Sequence, residues 1–413
     1  MNYAPPPGWK AHKLNQLGFL GRGRSRHRPR DDASLYGGDY PFFQTGDVKA
    51  ANLYLSEYSQ TYNKKGLAQS RQWEPGTLCI TIAANIAETA ILGIRGCFPD
   101  SVIGFVADPA QADVRFIKYC MDLMKQDMQQ VSHGTTQDNL SLDKLLRFDF
   151  VVPDAREQRK IAAILSAYDG LIENNLRRIK ILEQMAQNLY REWFVKFRFP
   201  GHQHTHFTDS PLGRIPEGWE VVQLSSVVDF AKGRKPIETR NEPIAGDVRL
   251  LLIDALRGGE PQFTAPVRLV IAETRDTIMV MDGGSSCEVA QGFSGAVGST
   301  LGRFRTTEPD RFSPHALYRF LEEKADEFKS KNIGAAIPHA NKDYILRQMI
   351  PLPPQTITLG FHGYLEPIQG TIETLRAENT TLRRTRDLLL PRLISGEVDV
   401  SELDIAVPDE AMT

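Results

Sequence analysis

Cysteine is scarce in this chain: 413 residues carry only Cys79, Cys97, Cys120 and Cys287, and no two form a CxxC pair. Three of the four sit in apolar runs that read as core. This argues against a disulfide scaffold and for thiols kept reduced in the cytoplasm. No run of about 18 apolar residues occurs, so no membrane span is expected. The stretch from Met1 to Gly8 is rich in proline and lacks the apolar segment of a signal peptide. An excess of one charge is missing as well: 49 Lys and Arg stand against 51 Asp and Glu, a net charge of -2, so any affinity for nucleic acid must be local. The chain contains no phosphate-cradling GxxxxGK[ST] and no GxGxxG opening a helix after a strand. It also lacks the NPPY and DPPY tetrapeptides that mark amino-group DNA methyltransferases. No catalytic constellation stands out, and the chain reads as a recognition protein.

What the chain has is a repeat. At an offset of 200 residues, Ile161, Leu165, Tyr168, Ile172, Leu182 and Leu189 align with Phe361, Leu365, Ile368, Ile372, Leu382 and Leu389. Upstream, Leu142, Asp143, Leu146, Arg147 and Pro153 align with Lys342, Asp343, Leu346, Arg347 and Pro353. Each copy joins an irregular, turn-rich segment to a long helical one, and such a repeat sets the architecture.

In the first helical segment, steps of four and three connect Ile161, Leu165, Tyr168, Ile172, Asn175, Ile179, Leu182, Ala186, Leu189 and Trp193. That is a heptad seam with one polar interruption. Asp154 after Pro153, with Glu157 three residues on, reads as its cap. The second seam runs in the same phase through Phe361, Leu365, Ile368, Ile372, Leu375, Asn379, Leu382, Arg386, Leu389 and Leu393. Gly363 and Pro367 weaken its opening turns, so regular helix is expected from about Ile368. Two seams in phase, with a globule between them, predict an antiparallel intramolecular coiled coil of roughly 50–60 Å. Asn175 and Asn379 either fix its register or lie solvated where it frays.

The fold class expected is therefore α+β, with two mixed α/β heads, two long helices and a pseudo-two-fold repeat. The predicted boundaries are 1–152 for the first head, 153–199 for the first helix and 200–217 for a linker. The second head covers 218–352, the second helix 353–398 and a C-terminal tail 399–413. Within the heads, Thr77–Ile82 and Thr277–Met281 read as strands, while 116–130 and 315–331 read as helices.

Arg22, Arg24, Arg26, Arg28 and Arg30 alternate through a glycine-containing loop of the first head. Lys232, Arg234 and Lys235 occupy the matching place in the second. Glycines there would let the backbone approach a partner, and arginine forks suit phosphate oxygens and guanine edges. A basic loop can be merely solvated, but its recurrence in both copies favours DNA binding. His133, Thr135 and Gln137 are further base-reading candidates, and Tyr36, Tyr40, Phe42 and Phe43 either stack on bases or fill a core. His202, His204 and His206 alternate in the linker, which is read as incidental, so no metal is expected.

Three blocks then resemble the specificity subunit of Type I restriction–modification enzymes. They are Val151 to Ile161, with its P-x-x-x-E-Q-x-x-I pattern, Gly213 to Trp219, and Leu388 to Glu397. The resemblance implies that each head is a target-recognition domain reading one half of a bipartite site on double-stranded DNA. It implies a coil that acts as a ruler and docks two methyltransferase (modification) subunits, which carry S-adenosylmethionine. Motor-nuclease (restriction) subunits would bring ATP and Mg²⁺, and this chain would hold no cofactor. The alternatives are a specificity subunit for a fused nuclease–methyltransferase and a coiled-coil scaffold that does not touch DNA. Two places depart from the family pattern. The second helix opens Pro353-Pro354-Gln355-Thr356 where the family often has Glu-Gln, and the segment before Trp9 is short.

Overall fold

The structure, a computed structural model, describes residues 6–132, 139–334 and 337–407. The chain divides into two compact units. The first is built from Met1–Asn174 and Thr381–Thr413, the second from Asn175–Thr380. Each unit thus holds one head and parts of both long helices.

In the first head, the entry strand Lys10–His12 pairs antiparallel with Phe150–Val152, the strand that leads into the first long helix. The main sheet orders its strands Gly18–Arg22, Val102–Ala107, Leu78–Thr81, Thr89–Leu92 and Tyr54–Leu55. Leu78–Thr81 is buried at all four positions, as its apolar run anticipates for a strand covered on both faces. Helix α1 (Val114–Ser132) covers this sheet and buries Phe116, Ile117, Tyr119 and Cys120. A second sheet orders Gln60–Tyr62, Tyr36–Phe42, Gly96–Cys97 and Gln72–Trp73.

The second head repeats this plan. Glu220–Gln223 pairs with Met349–Leu352. One sheet orders Val228–Lys232, Leu301–Thr306, Thr277–Val280 and Val289–Ala290. The other orders Gln262–Thr264, Val248–Leu251, Gly295–Val297 and Ile271–Ala272. Its central pair is parallel, as is the pair formed by Tyr36–Phe42 and Gly96–Cys97 in the first head. All four cysteines are buried and free. Burial pushes their thiols upward, so none presents a reactive thiolate.

The first long helix, α2, runs Ala155–Tyr190 and ends in a π turn, Arg191–Val195. Asp154 caps it, its carboxylate accepting the Glu157 N–H at 2.9 Å. The second long helix is Gln355–Ile394. It is regular thirteen residues earlier than Gly363 and Pro367 suggested. Both residues lie on the exposed side, where water can take the carbonyl that Pro367 leaves without a partner. The proline costs about 3 kcal/mol. Burying Phe361 and Leu365 returns roughly 1.5–3 kcal/mol each, enough to keep the helix intact. Gly396, with φ of +71°, ends it.

Within each unit the helices meet antiparallel. In the first, Ile161 and Leu165 share a core with Leu389 and Leu393. Asp169 accepts the Arg386 guanidinium at 2.5 Å and the Tyr119 hydroxyl at 2.5 Å. In the second, Ile179 packs with Ile372 and Leu375, flanked by half-buried Leu182 and Ile368. Asn175 donates to Asn379 at 3.1 Å, and both are buried, so this polar step is a paired register element and not a frayed end. Farther on, Tyr190, Trp193 and Phe194 enclose Phe361, with Phe194 at 4.8 Å between ring centroids. Ile172 is buried, while Tyr168, Leu189 and Leu382 are half-buried.

Two segments are more structured than the words linker and tail imply. Residues 207–216 form a hairpin, Phe207–Ser210 with Gly213–Pro216. After Ile394 the chain folds back into the first unit, where Val400 is fully buried. The buried Lys160 ammonium donates to the carbonyls of Val400, Ser401 and Leu403 at 3.3, 2.6 and 2.8 Å. Lys160 and Glu157, beside Asp154, are therefore structural residues of the helix start.

Candidate nucleic-acid interface

The arginine loop of the first head leaves the edge strand Gly18–Arg22 and is held by its backbone. Gly23 N donates to Val102 O at 2.9 Å and Arg24 N to Phe98 O at 3.0 Å. The Ser70 hydroxyl donates to Arg24 O at 2.8 Å. Gln69 Oε1 accepts from Arg26 N at 2.5 Å and His27 N at 3.0 Å. Ser25 is buried beside the Tyr62 hydroxyl, at 3.4 Å.

The five arginine side chains are all exposed, yet they are not equivalent. Arg30 is paired with Asp100 at 2.5 Å. Arg28 lies 3.6 Å from the same carboxylate and donates to Ser25 O. Arg22, Arg24 and Arg26 have no side-chain partner among the described residues. Close by, Arg71 lies over Trp73 at 4.0 Å and over the exposed ring of Phe19 at 5.2 Å. Arg71 and Phe19 were not singled out from the sequence. Phe19 shares a strand with Gly21, two residues away, whereas Arg71 comes from far along the chain and meets Gly21 only through the packing of the head.

The second loop crosses its own head in the same way: Gly233 N donates to Leu301 O at 2.9 Å and Arg234 N to Val297 O at 3.0 Å. A Cβ on Gly23 would collide with the carbonyl oxygens of Phe98 and Pro99, and one on Gly233 with those of Val297 and Gly298. The recurring glycine thus serves a close crossing inside each head. It does not serve approach to a partner, as its sequence context suggested. Lys232 pairs with Asp282 at 2.7 Å, Arg234 donates to Arg268 O at 3.2 Å, and Lys235 is exposed. Burial opposes ionisation of Asp282, but the hydrogen bonds from Lys232 and His339 outweigh it and hold the carboxyl below its usual range. Beyond Lys235, Ile237 is 85% exposed.

Of the other candidates, Phe42 and Phe43 are buried, and Tyr36 and Tyr40 pack partly buried against the Phe42–Tyr62 cluster. These four rings build the head. His133, Thr135 and Gln137 lie outside the described residues. His202, His204 and His206 do not gather as ligands.

Residues 6–184 match the family model described as the Type I restriction modification DNA specificity domain. The MjaIX specificity subunit of Methanocaldococcus jannaschii is 24% identical over 96% of this chain and 95% of its own length. The HindI specificity subunit of Haemophilus influenzae is 22% identical over 65% of this chain and 72% of its own. The crystal structure of the Type I restriction–modification S subunit from M. genitalium covers 95% of this chain and 98% of its own, with a TM-score of 0.60 at 15% identity. The chain is thus similar over nearly its whole length to Type I restriction–modification specificity subunits, and its residues 6–184 match their DNA specificity domain.

In this chain, the basic loops occupy corresponding places in two heads of one plan, and their side chains differ. The helices also expose apolar side chains beyond their seams. In the first unit these are Leu171 and Leu388; in the second they include Ile181, Met185, Leu359 and Tyr364. No described helix of the chain is long and apolar enough to cross a membrane. Among the described residues, one group has donors placed as metal ligands: His315, His362 and Glu366.

Proposed function

We propose that this chain is a Type I restriction–modification specificity subunit and that each of its heads reads one half of a bipartite site on double-stranded DNA. The supporting observation is the first head's loop, whose backbone is clamped while the exposed side chains of Arg22, Arg24 and Arg26 have no partners among the described residues. A clamped loop loses little entropy on binding, and free guanidiniums need break no ion pair before meeting phosphate or guanine. Lys232, Arg234 and Lys235 take the same role in the second head, together with His133, Thr135 and Gln137 in the first. The exposed apolar faces of the helices dock two methyltransferase subunits, which supply S-adenosylmethionine. Motor-nuclease subunits with ATP and Mg²⁺ complete the assembly in the cytoplasm. In this reading the specificity subunit contributes recognition and no catalytic step.

The test is an exchange of residues 11–152 for the first head of a relative with a known target, followed by methylome sequencing. One half of the methylated sequence should change while the other half and the spacer stay. A change in both halves, or in neither, overturns independent reading. Failure of the intact complex to bind DNA at low salt would favour a scaffold.

A further inference from the structure

The second unit contains a hydrogen-bond arrangement that is incomplete without a cation. His315 opens helix α3 (Pro314–Glu323) of the second head, and His362 and Glu366 stand one turn apart on the helix Gln355–Ile394, now α4. The His315 ring is almost fully buried. Its Nδ1 lies 3.0 Å from Gln291 Oε1. The Gln291 amide nitrogen donates to Arg275 O at 2.9 Å and to Pro314 O at 3.2 Å. The amide orientation is thereby set, its oxygen faces His315, and Nδ1 must carry the ring proton.

Nε2 of His315 therefore presents a lone pair, and it does so 2.8 Å from the acceptor oxygen Glu366 Oε2. The Arg275 guanidinium donates to that carboxylate, at 3.0 Å to Oε2 and 2.5 Å to Oε1. Two lone pairs facing each other at this distance call for a cation between them. His362 completes the set. Its Nε2 is 3.8 Å from the same Oε2, and its Nδ1 lies 3.4 Å from the Ser313 hydroxyl. The two rings stack with centroids 5.1 Å apart.

We propose that His315 Nε2, His362 Nε2 and Glu366 Oε2 bind a divalent transition ion of the zinc class. The three donor atoms lie within 4.8 Å of one another, a span that modest side-chain rotation closes to bonds of about 2.0–2.2 Å. Two imidazoles and a carboxylate suit zinc, cobalt or nickel and not magnesium or calcium. The outer partners are those that orient metal-bound ligands: Gln291 and Ser313 on the Nδ1 atoms and Arg275 on the carboxylate. His362 is partly exposed, which leaves access for water as a further ligand. The ion fastens a helix of the second head to α4, a structural role that does not depend on how the heads read DNA.

The experiment uses the full chain, freed of metal with a chelator and titrated with Co²⁺ at neutral pH. One Co²⁺ per chain should bind with visible d–d absorption. Zn²⁺ should displace it, Mg²⁺ should not, and Zn²⁺ should raise the thermal midpoint. His362→Gln, at a half-exposed position that leaves the fold intact by circular dichroism, should weaken Co²⁺ binding by roughly tenfold or more. His204→Gln should leave it unchanged. Absence of Co²⁺ uptake overturns the site, and so does uptake that survives His362→Gln but is lost in His204→Gln.

Discussion

Arg24 and Arg30 stand in the same loop with the same chemistry, and they should not behave alike. Arg24 has no partner to give up among the described residues, whereas Arg30 must leave Asp100 before it can meet a phosphate. Each phosphate contact adds about one to the magnitude of the logarithmic salt slope of binding. Arg24→Ala in the assembled complex should therefore reduce the salt slope by about one, and Arg30→Ala by clearly less. Equal slopes for the two variants, measured by fluorescence anisotropy across a salt series, would contradict the division of the loop into free and engaged arginines. The sequence shows five alternating arginines. It does not show Asp100, which lies 70 residues downstream and becomes a neighbour through strand pairing. Lys232 is the same case, since Asp282 lies 50 residues away in sequence.

At the scale of elements, the seam was readable because helical periodicity is local. Positions three and four apart share a face whatever the rest of the chain does. The start of the second long helix is not legible locally: Gly363 and Pro367 read as breakers, and only the packing puts them on the exposed face and sets Phe361 against Trp193 and Phe194. The buried Asn175–Asn379 pair provides a test. Asn175→Leu alone removes a partner of the buried Asn379 amide and should cost about 1–3 kcal/mol. Asn175→Leu with Asn379→Leu should recover most of that loss and relax the register. Urea unfolding of the singles and the double completes the cycle. A double variant as unstable as the sum of the singles would show that the pair is not the coupled element described.

At the scale of the whole molecule, both ends of the chain belong to one compact unit. Lys160 is the clearest sign of this. A buried ammonium is tolerable only with its acceptors present, and all three come from the segment after Asp399. Truncation at Glu397 should destabilise the first unit by roughly 2–5 kcal/mol. Hydrogen exchange should show the loss there and leave the second unit's protection unchanged. Adding Lys160→Met, which removes the stranded charge, should restore part of the stability. Unchanged protection in the truncated chain would mean that the segment adds nothing to the unit.

The amino-acid sequence by itself determined the duplication, the two seams and their common phase, the capped start at Asp154 and the family resemblance. All of these are patterns along the chain, and helices and turns are specified by neighbours within a few positions. Tertiary structure alone decided which arginines are free, why Gly23 and Gly233 must be glycine, what Lys160 holds, and that Gln291 turns His315 toward Glu366. Each depends on atoms brought together from distant parts of the chain, and no local pattern records which acceptor will stand opposite a given donor once the sheets and helices have packed.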